Sequence, residues 1–132
     1  MILVDTSVWI DLLRNVPSAE AITLARLIED REDVAICGVI RQEVLQGIKD
    51  DVMSERIRRL LGEAHYFSLT EPKSFDDAAT IYRRLKRNGF TIRSPIDCLI
   101  AAIAIENKTP LFHKDRDFAA IARHTHLTLY RI

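Results

Sequence analysis

The chain has 132 residues, 19 basic and 19 acidic side chains, 48% apolar residues, and only four glycines and four prolines. That length holds one domain with a core of its own, and an ordinary apolar fraction without low-complexity stretches excludes a disordered chain. Balanced charge excludes a uniformly basic nucleic-acid coat, while 14 arginines among the 19 cations favour bidentate contact with carboxylate or phosphate.

No apolar run is long enough to span a bilayer, and Asp5 follows residues 1–4 too soon for a signal peptide. Cys37 and Cys98 are too few for a disulfide scaffold, so the expectation is a reduced, cytoplasmic protein with no membrane role. Residues 2–4 read as a buried strand, cut off by Asp5-Thr6-Ser7 and followed by a short helix over 7–13. Ala21, Leu24, Ala25, Leu27 and Ile28 repeat at helical spacing behind Ser18 as N-cap. Residues 34–37 form a second buried strand, feeding a helix with Val39, Ile40, Val44 and Ile48 on one side. Met53, Ile57, Leu60 and Leu61 mark another helix, and 65–69 a short strand. An amphipathic helix through Phe75, Ala78, Ala79, Tyr82 and Leu85 carries a Ser74-x-x-Asp77 capping box at its start.

Beyond Gly89, Ser94 and Pro95 supply the N-cap and first position of a helix whose body, 98–105, is apolar all round and therefore central. Residues 110–113 read as a strand, 116–123 as a helix and 127–130 as a last strand. Strands alternating with helices require crossovers, which gives an α/β fold: three α/β/α layers around a mostly parallel sheet, with residues 1–132 as a single domain.

Acidic residues carry the chemistry. Asp5 ends the first strand, Glu43 sits on the side its helix should bury, Asp97 is third in the apolar helix, and Asp115 follows the 110–113 strand. A helix cap explains Asp5, Asp97 or Asp115 singly, and a Ser94-x-x-Asp97 box is a sound structural account of Asp97. Glu43 needs a partner, because a buried unpaired carboxylate is costly. Jointly, all four fall on the edge formed by the C-terminal ends of parallel strands, where ligands bind. Four carboxylates on one rim repel unless a divalent cation sits among them. Oxygen-only donors point to Mg²⁺ or Mn²⁺ and to phosphodiester hydrolysis.

The stretches Leu3-Val-Asp5-Thr-Ser7, Ile40-Arg-Gln-Glu43-Val-Leu-Gln-Gly47, Ser94-Pro-Ile-Asp97-Cys-Leu-Ile-Ala-Ala102 and His113-Lys-Asp115-Arg-Asp117-Phe118 occur in that order. With them the chain resembles, end to end, a PIN-domain ribonuclease of the VapC toxin type from bacterial type II toxin–antitoxin modules. The resemblance implies a PIN-like fold with Asp5, Glu43, Asp97 and Asp115 as its catalytic acidic quartet around Mg²⁺ or Mn²⁺. Asp5 and Asp97 match the principal metal ligands, Asp117 an accessory acid, and Ser7, with Thr6 beside it, a supporting hydroxyl. It further implies endonucleolytic RNA cleavage that halts translation and growth. A homodimer is implied too, and a cognate VapB-like antitoxin whose C-terminal segment covers the active-site groove.

Arg83, Arg84, Lys86, Arg87 and Arg93 form an acid-free basic run around Gly89. It is either a solvated face or a patch that positions RNA phosphates without reading sequence. A haloacid-dehalogenase-type phosphatase also begins with an Asp after its first strand, but it needs a second Asp at position 7, where this chain has Ser. A catalytically idle nuclease-fold binding module would tolerate loss of the acids, and here all four are retained.

Overall fold

The computed structural model describes residues 1–132. Four short strands, β1 (Ile2–Val4), β2 (Val34–Cys37), β3 (His65–Phe67) and β4 (Leu111–Phe112), form one sheet. Their order is β3-β2-β1-β4, and every neighbouring pair is parallel. Leu3 stands against Ala35 on one side and Leu111 on the other. Parallel neighbours cannot be joined by hairpins, so helices make the connections. α1 (Thr6–Leu13) and α2 (Ala19–Glu29) link β1 to β2, and α3 (Gly38–Gln46) and α4 (Asp51–Gly62) link β2 to β3. α5 (Lys73–Arg87) and α6 (Pro95–Glu106) lead to β4, and α7 (Arg116–His124) follows it.

Crossover handedness sets the layers. The first two connections step outward from β1 to β3, while the third returns across the whole sheet to β4. Right-handed crossovers therefore put α1–α4 on one face and α5 and α6 on the other. The packing agrees: α1 contacts α2 and α3, α3 contacts α4, and α5, α6 and α7 pack on one another. Leu3, Val4, Ala35, Ile36 and Cys37 are fully buried, which is why both central strands read as unbroken apolar runs. α6 is buried on every side from Cys98 to Ala104, as its uniformly apolar sequence requires. No helix is long and apolar enough to cross a membrane.

Local signals placed most helix starts. The Ser18 hydroxyl accepts from the Ala21 N–H at 3.0 Å, and Asp50 caps α4. Three expectations need correction. The Ser74-x-x-Asp77 box does not form, because α5 already starts at Lys73 behind Pro72. Ser74 is instead buried inside the helix, accepting from the Thr70 N–H and donating to Glu106 at 2.8 Å, while Asp77 pairs with Lys73. Ser94 holds the N-cap position of α6 without a side-chain cap. The last strand shrinks to a single bridge, Leu111 to Leu129, because β4 offers only two residues to pair with.

The strand order reverses between β1 and β4. The chain leaves β1 in one direction and returns to β4 on its other side, so two strand ends and the helices they feed diverge around one crevice.

Candidate active site

Asp5 stands at the reversal point. Its N–H donates to the Phe112 carbonyl at 2.9 Å, tying the ends of β1 and β4 together. Trp9 anchors the following turn by donating its indole N–H to the Val4 carbonyl at 3.2 Å. Asp5 caps α1, since its Oδ2 accepts the Ser7 N–H at 3.1 Å and the Ser7 hydroxyl at 2.6 Å. The cap and the rim position coexist. Burial pushes the Asp5 carboxyl above its ordinary range, and the bonds from Ser7 and Thr6 only partly oppose that.

Glu43 projects from α3 toward the same rim and finds the partner its burial demands. The Thr6 hydroxyl donates to Glu43 Oε1 at 2.9 Å. Thr6 and Ser7, adjacent in sequence, thus hold two different acids.

Asp97 lies in the first turn of α6. The Ser94 carbonyl accepts the Asp97 N–H at 3.1 Å, but no hydrogen bond reaches the Asp97 carboxylate, so the capping-box account of this residue fails. Its pKa is pushed up to about 7, by burial first and then by the charges of Asp5, Asp115, Asp117 and Glu43. A half-buried acid facing four others lacks positive charge.

Asp115 and Asp117 enter with α7. Asp115 is its N-cap, accepting the Asp117 N–H on Oδ1 at 2.9 Å. One oxygen each from Asp97, Asp115 and Asp117 lies within 4.8 Å of the others. Asp117, expected only as an accessory, therefore belongs to the tightest trio. Asp5 and Glu43 stand outside it, close enough for their charges to act on Asp97. The donor set is all oxygen, with no thiolate or imidazole among the trio, and fits a hard divalent cation.

Three further contacts were missed in the sequence. The Lys114 N–H donates to Ser7 Oγ at 3.2 Å, so the loop after β4 steadies the hydroxyl that holds Asp5. The Lys114 side chain pairs with Asp11. The Arg93 guanidinium reaches Asp115 at 2.7 Å and Asp117 at 3.2 Å. A single sequence carries no signal for such contacts between distant segments. Arg93 thereby leaves the basic run expected to be free of acids, whereas Arg83, Arg84, Lys86 and Arg87 are exposed and pair with none. Arg84 donates instead to the His124 carbonyl. Arg83 and Arg93 flank one cleft of about 560 Å³ between α5 and α6. Cys37 and Cys98 are buried, and burial above all raises both thiols to about 11, which removes them as nucleophiles.

The PIN-domain profile matches residues 2–124. Ribonuclease VapC11 of Mycobacterium tuberculosis is 40% identical over 128 residues, 96% of each chain. The chain belongs to the VapC family of PIN-domain proteins. Among solved structures, FitAcB from Neisseria gonorrhoeae is 25% identical, covers 99% of this chain and 97% of its own, and superposes with a TM-score of 0.75. VapBC2 from Rickettsia felis, bound to a DNA fragment from its promoter, is 19% identical over 98% of both chains with a TM-score of 0.75, a likeness of fold. VapC membership also removes the phosphatase alternative: the position where that class needs a second Asp carries Ser7, and its hydroxyl is bonded to Asp5.

Proposed function

We propose that this VapC-family chain is a metal-dependent endoribonuclease, the toxin of a type II toxin–antitoxin module, whose RNA cleavage stops translation and growth. The observation that carries this reading is the gathering of Asp97, Asp115 and Asp117 oxygens within 4.8 Å at the strand-order reversal, with Asp5 and Glu43 beside them. In this reading residues 1–132 work as one nuclease domain in the cytoplasm.

Asp5, Glu43, Asp97 and Asp115 are the catalytic set, with Asp5 and Asp97 as principal ligands of Mg²⁺ or Mn²⁺ and Asp117 completing the cluster. When bound, such a cation supplies charge neutralisation at the phosphodiester and acidification of water. Ser7 fixes Asp5 from two atoms, leaving its carboxylate little rotational freedom, and Thr6 does the same for Glu43 from one. Asp97, unbonded and raised toward neutrality, is the acid most ready to change its charge state when positive charge arrives. Arg83, Arg84, Lys86 and Arg87 are exposed and have no competing acids, which supports a phosphate-positioning role for this face.

Solved relatives include toxin–antitoxin complexes, which supports a VapB-like antitoxin as partner, with its C-terminal segment over the active-site groove. An apolar trough lined by Ile10, Leu13, Val44, Ile48, Met53 and Ile57 runs along α1, α3 and α4, two of which carry Thr6 and Glu43. It offers a peptide apolar anchorage on the helices that carry those two residues. A homodimer is the proposed assembly of the toxin, and exposed Phe75 on α5 supports it with apolar surface.

Inducible expression followed by sequencing of newly formed RNA 5′ ends tests the reading. New ends at defined sites, absent for Asp97→Asn, are expected. Growth arrest without new RNA ends would reject the ribonuclease and leave a binding module.

A further inference from the structure

Among the ion pairs, only those of Arg93 reach the clustered acids. Its guanidinium forks across two of the three, with Nη2 at 2.7 Å from Asp115 Oδ1 and Nε at 3.2 Å from Asp117 Oδ2. The Arg93 side chain is 61% exposed while those of Asp115 and Asp117 are 28% and 13% exposed, so water screens the pair from the guanidinium's side and leaves that side chain free to leave.

Neither carboxylate depends on the guanidinium for its orientation. Asp115 Oδ1 also accepts the Asp117 N–H at 2.9 Å, and Asp117 Oδ2 also accepts the main-chain N–H of Arg93 at 3.3 Å. Both contacts survive loss of the Arg93 side chain. What the guanidinium contributes is positive charge on acids that otherwise repel one another.

A divalent cation among the same acids does that work better and repels the guanidinium. The side chain then has somewhere to go. Arg93 lies on an open trough of about 520 Å³ with Ser7, Asp11, Lys114, Asp115 and Arg116 along it. Lys114 is tied to Asp11, but Arg116 pairs with no acid, so a released Arg93 and Arg116 would present two free cations beside the acids. Two guanidiniums at that spot match a phosphate of the RNA backbone, which guanidinium donors bind in a bidentate manner.

We propose that Arg93 is a substrate-positioning residue that competes with a divalent cation for Asp115 and Asp117, and that a cation taking up those acids releases its guanidinium to an RNA phosphate in the trough beside Arg116. The exchange rests on the reading of the acids as a divalent-cation site.

The test titrates Mn²⁺ into RNA-free wild type, Arg93→Ala, Arg93→Gln and Arg93→Lys by calorimetry, with melting temperatures as the control for folding. Steady-state RNA cleavage at saturating Mn²⁺ follows. Arg93→Ala and Arg93→Gln, which remove the competing charge, should bind Mn²⁺ about three- to tenfold more tightly, and Arg93→Lys should stay near wild type. The loss in cleavage should fall on KM, raised about three- to tenfold, more than on kcat, with Arg93→Lys recovering part of it. Unchanged or weaker Mn²⁺ binding in both uncharged variants overturns the exchange, and an unchanged KM overturns the phosphate role. A wild type that binds no Mn²⁺ overturns the reading of the acids, and the exchange with it.

Discussion

The Thr6 hydroxyl lies 2.9 Å from Glu43 Oε1 and joins the start of the first helix to the middle of the third across the rim of the sheet. Thr6 is buried, so its hydroxyl has no solvent alternative and Glu43 no other donor from the protein. Thr6→Val keeps the shape and removes the bond. It should lower RNA cleavage about tenfold, the scale for losing a group that orients a ligand, while stability drops by only about 1 kcal/mol. Cleavage rates and melting curves of the two proteins check this.

Asp97 gives a prediction in pH. In the folded, metal-free protein its pKa stands near 7 against an ordinary 3.8. Between those values the unfolded chain has lost a proton that the folded one keeps, so this residue withdraws stability as pH rises through the window. Asp97→Asn has nothing to ionise. In EDTA it should match wild type near pH 4 and gain on it up to pH 7. The advantage should reach on the order of 1 kcal/mol after allowing for solvent screening of this half-exposed group. Mg²⁺ should stabilise wild type, and the same variant should lose most of that gain. Denaturant melts across pH, with and without Mg²⁺, measure both effects. A helix-cap role for Asp97 requires the opposite, a less stable variant at every pH.

Three of the five acids were legible in the sequence because each breaks a local pattern, whereas Asp115 and Asp117 read as ordinary helix-start residues. Asp5 abruptly ends an apolar strand, Glu43 sits on a face meant for burial, and Asp97 opens a helix with no other charge until its end. Alternation of strand and helix then fixed which edge of the sheet they share. What stayed hidden depends on contacts between segments far apart in the chain. The Arg93 fork joins residues more than twenty positions apart, and the Lys114 N–H reaches back 107 residues to Ser7. Ser74 misled for a related reason: its capping pattern is genuine in composition, but the preceding turn at Thr70–Lys73 starts the helix earlier, and Glu106 from α6 takes the hydroxyl.

The exposed cations of α5 give a prediction in salt. Arg83, Arg84 and Arg87 carry no acidic partners, so any contact they make with RNA releases counterions. Replacing all three by Ala should weaken RNA binding across sequences and flatten the log–log salt dependence by about 2, for single-stranded contacts at ≈0.7 each. Cleavage at saturating RNA should survive. Binding isotherms at several salt concentrations decide, and an unchanged slope assigns these residues to solvated surface.

Ser7 is predicted to act through Asp5. Ser7→Ala removes the 2.6 Å bond and leaves the main-chain cap at 3.1 Å, so α1 should stay folded with a loss of about 1 kcal/mol. Metal affinity and cleavage should each fall about tenfold or more, because the side chain that orients a ligand is gone. Calorimetric Mn²⁺ titration beside a cleavage assay separates this from a purely structural role, which would leave metal affinity unchanged.

Cutting of RNA by the acids at the ends of β1 and β4 through a divalent cation makes cleavage depend on that cation and on Asp97 together. The most direct measurement is cleavage of RNA by the purified protein in excess EDTA, followed by addition of Mg²⁺ or Mn²⁺, with Asp97→Asn in parallel. Cleavage should stop in EDTA, return on adding either cation, and stay absent in Asp97→Asn. Undiminished cleavage in EDTA, or full activity in Asp97→Asn, would contradict that dependence.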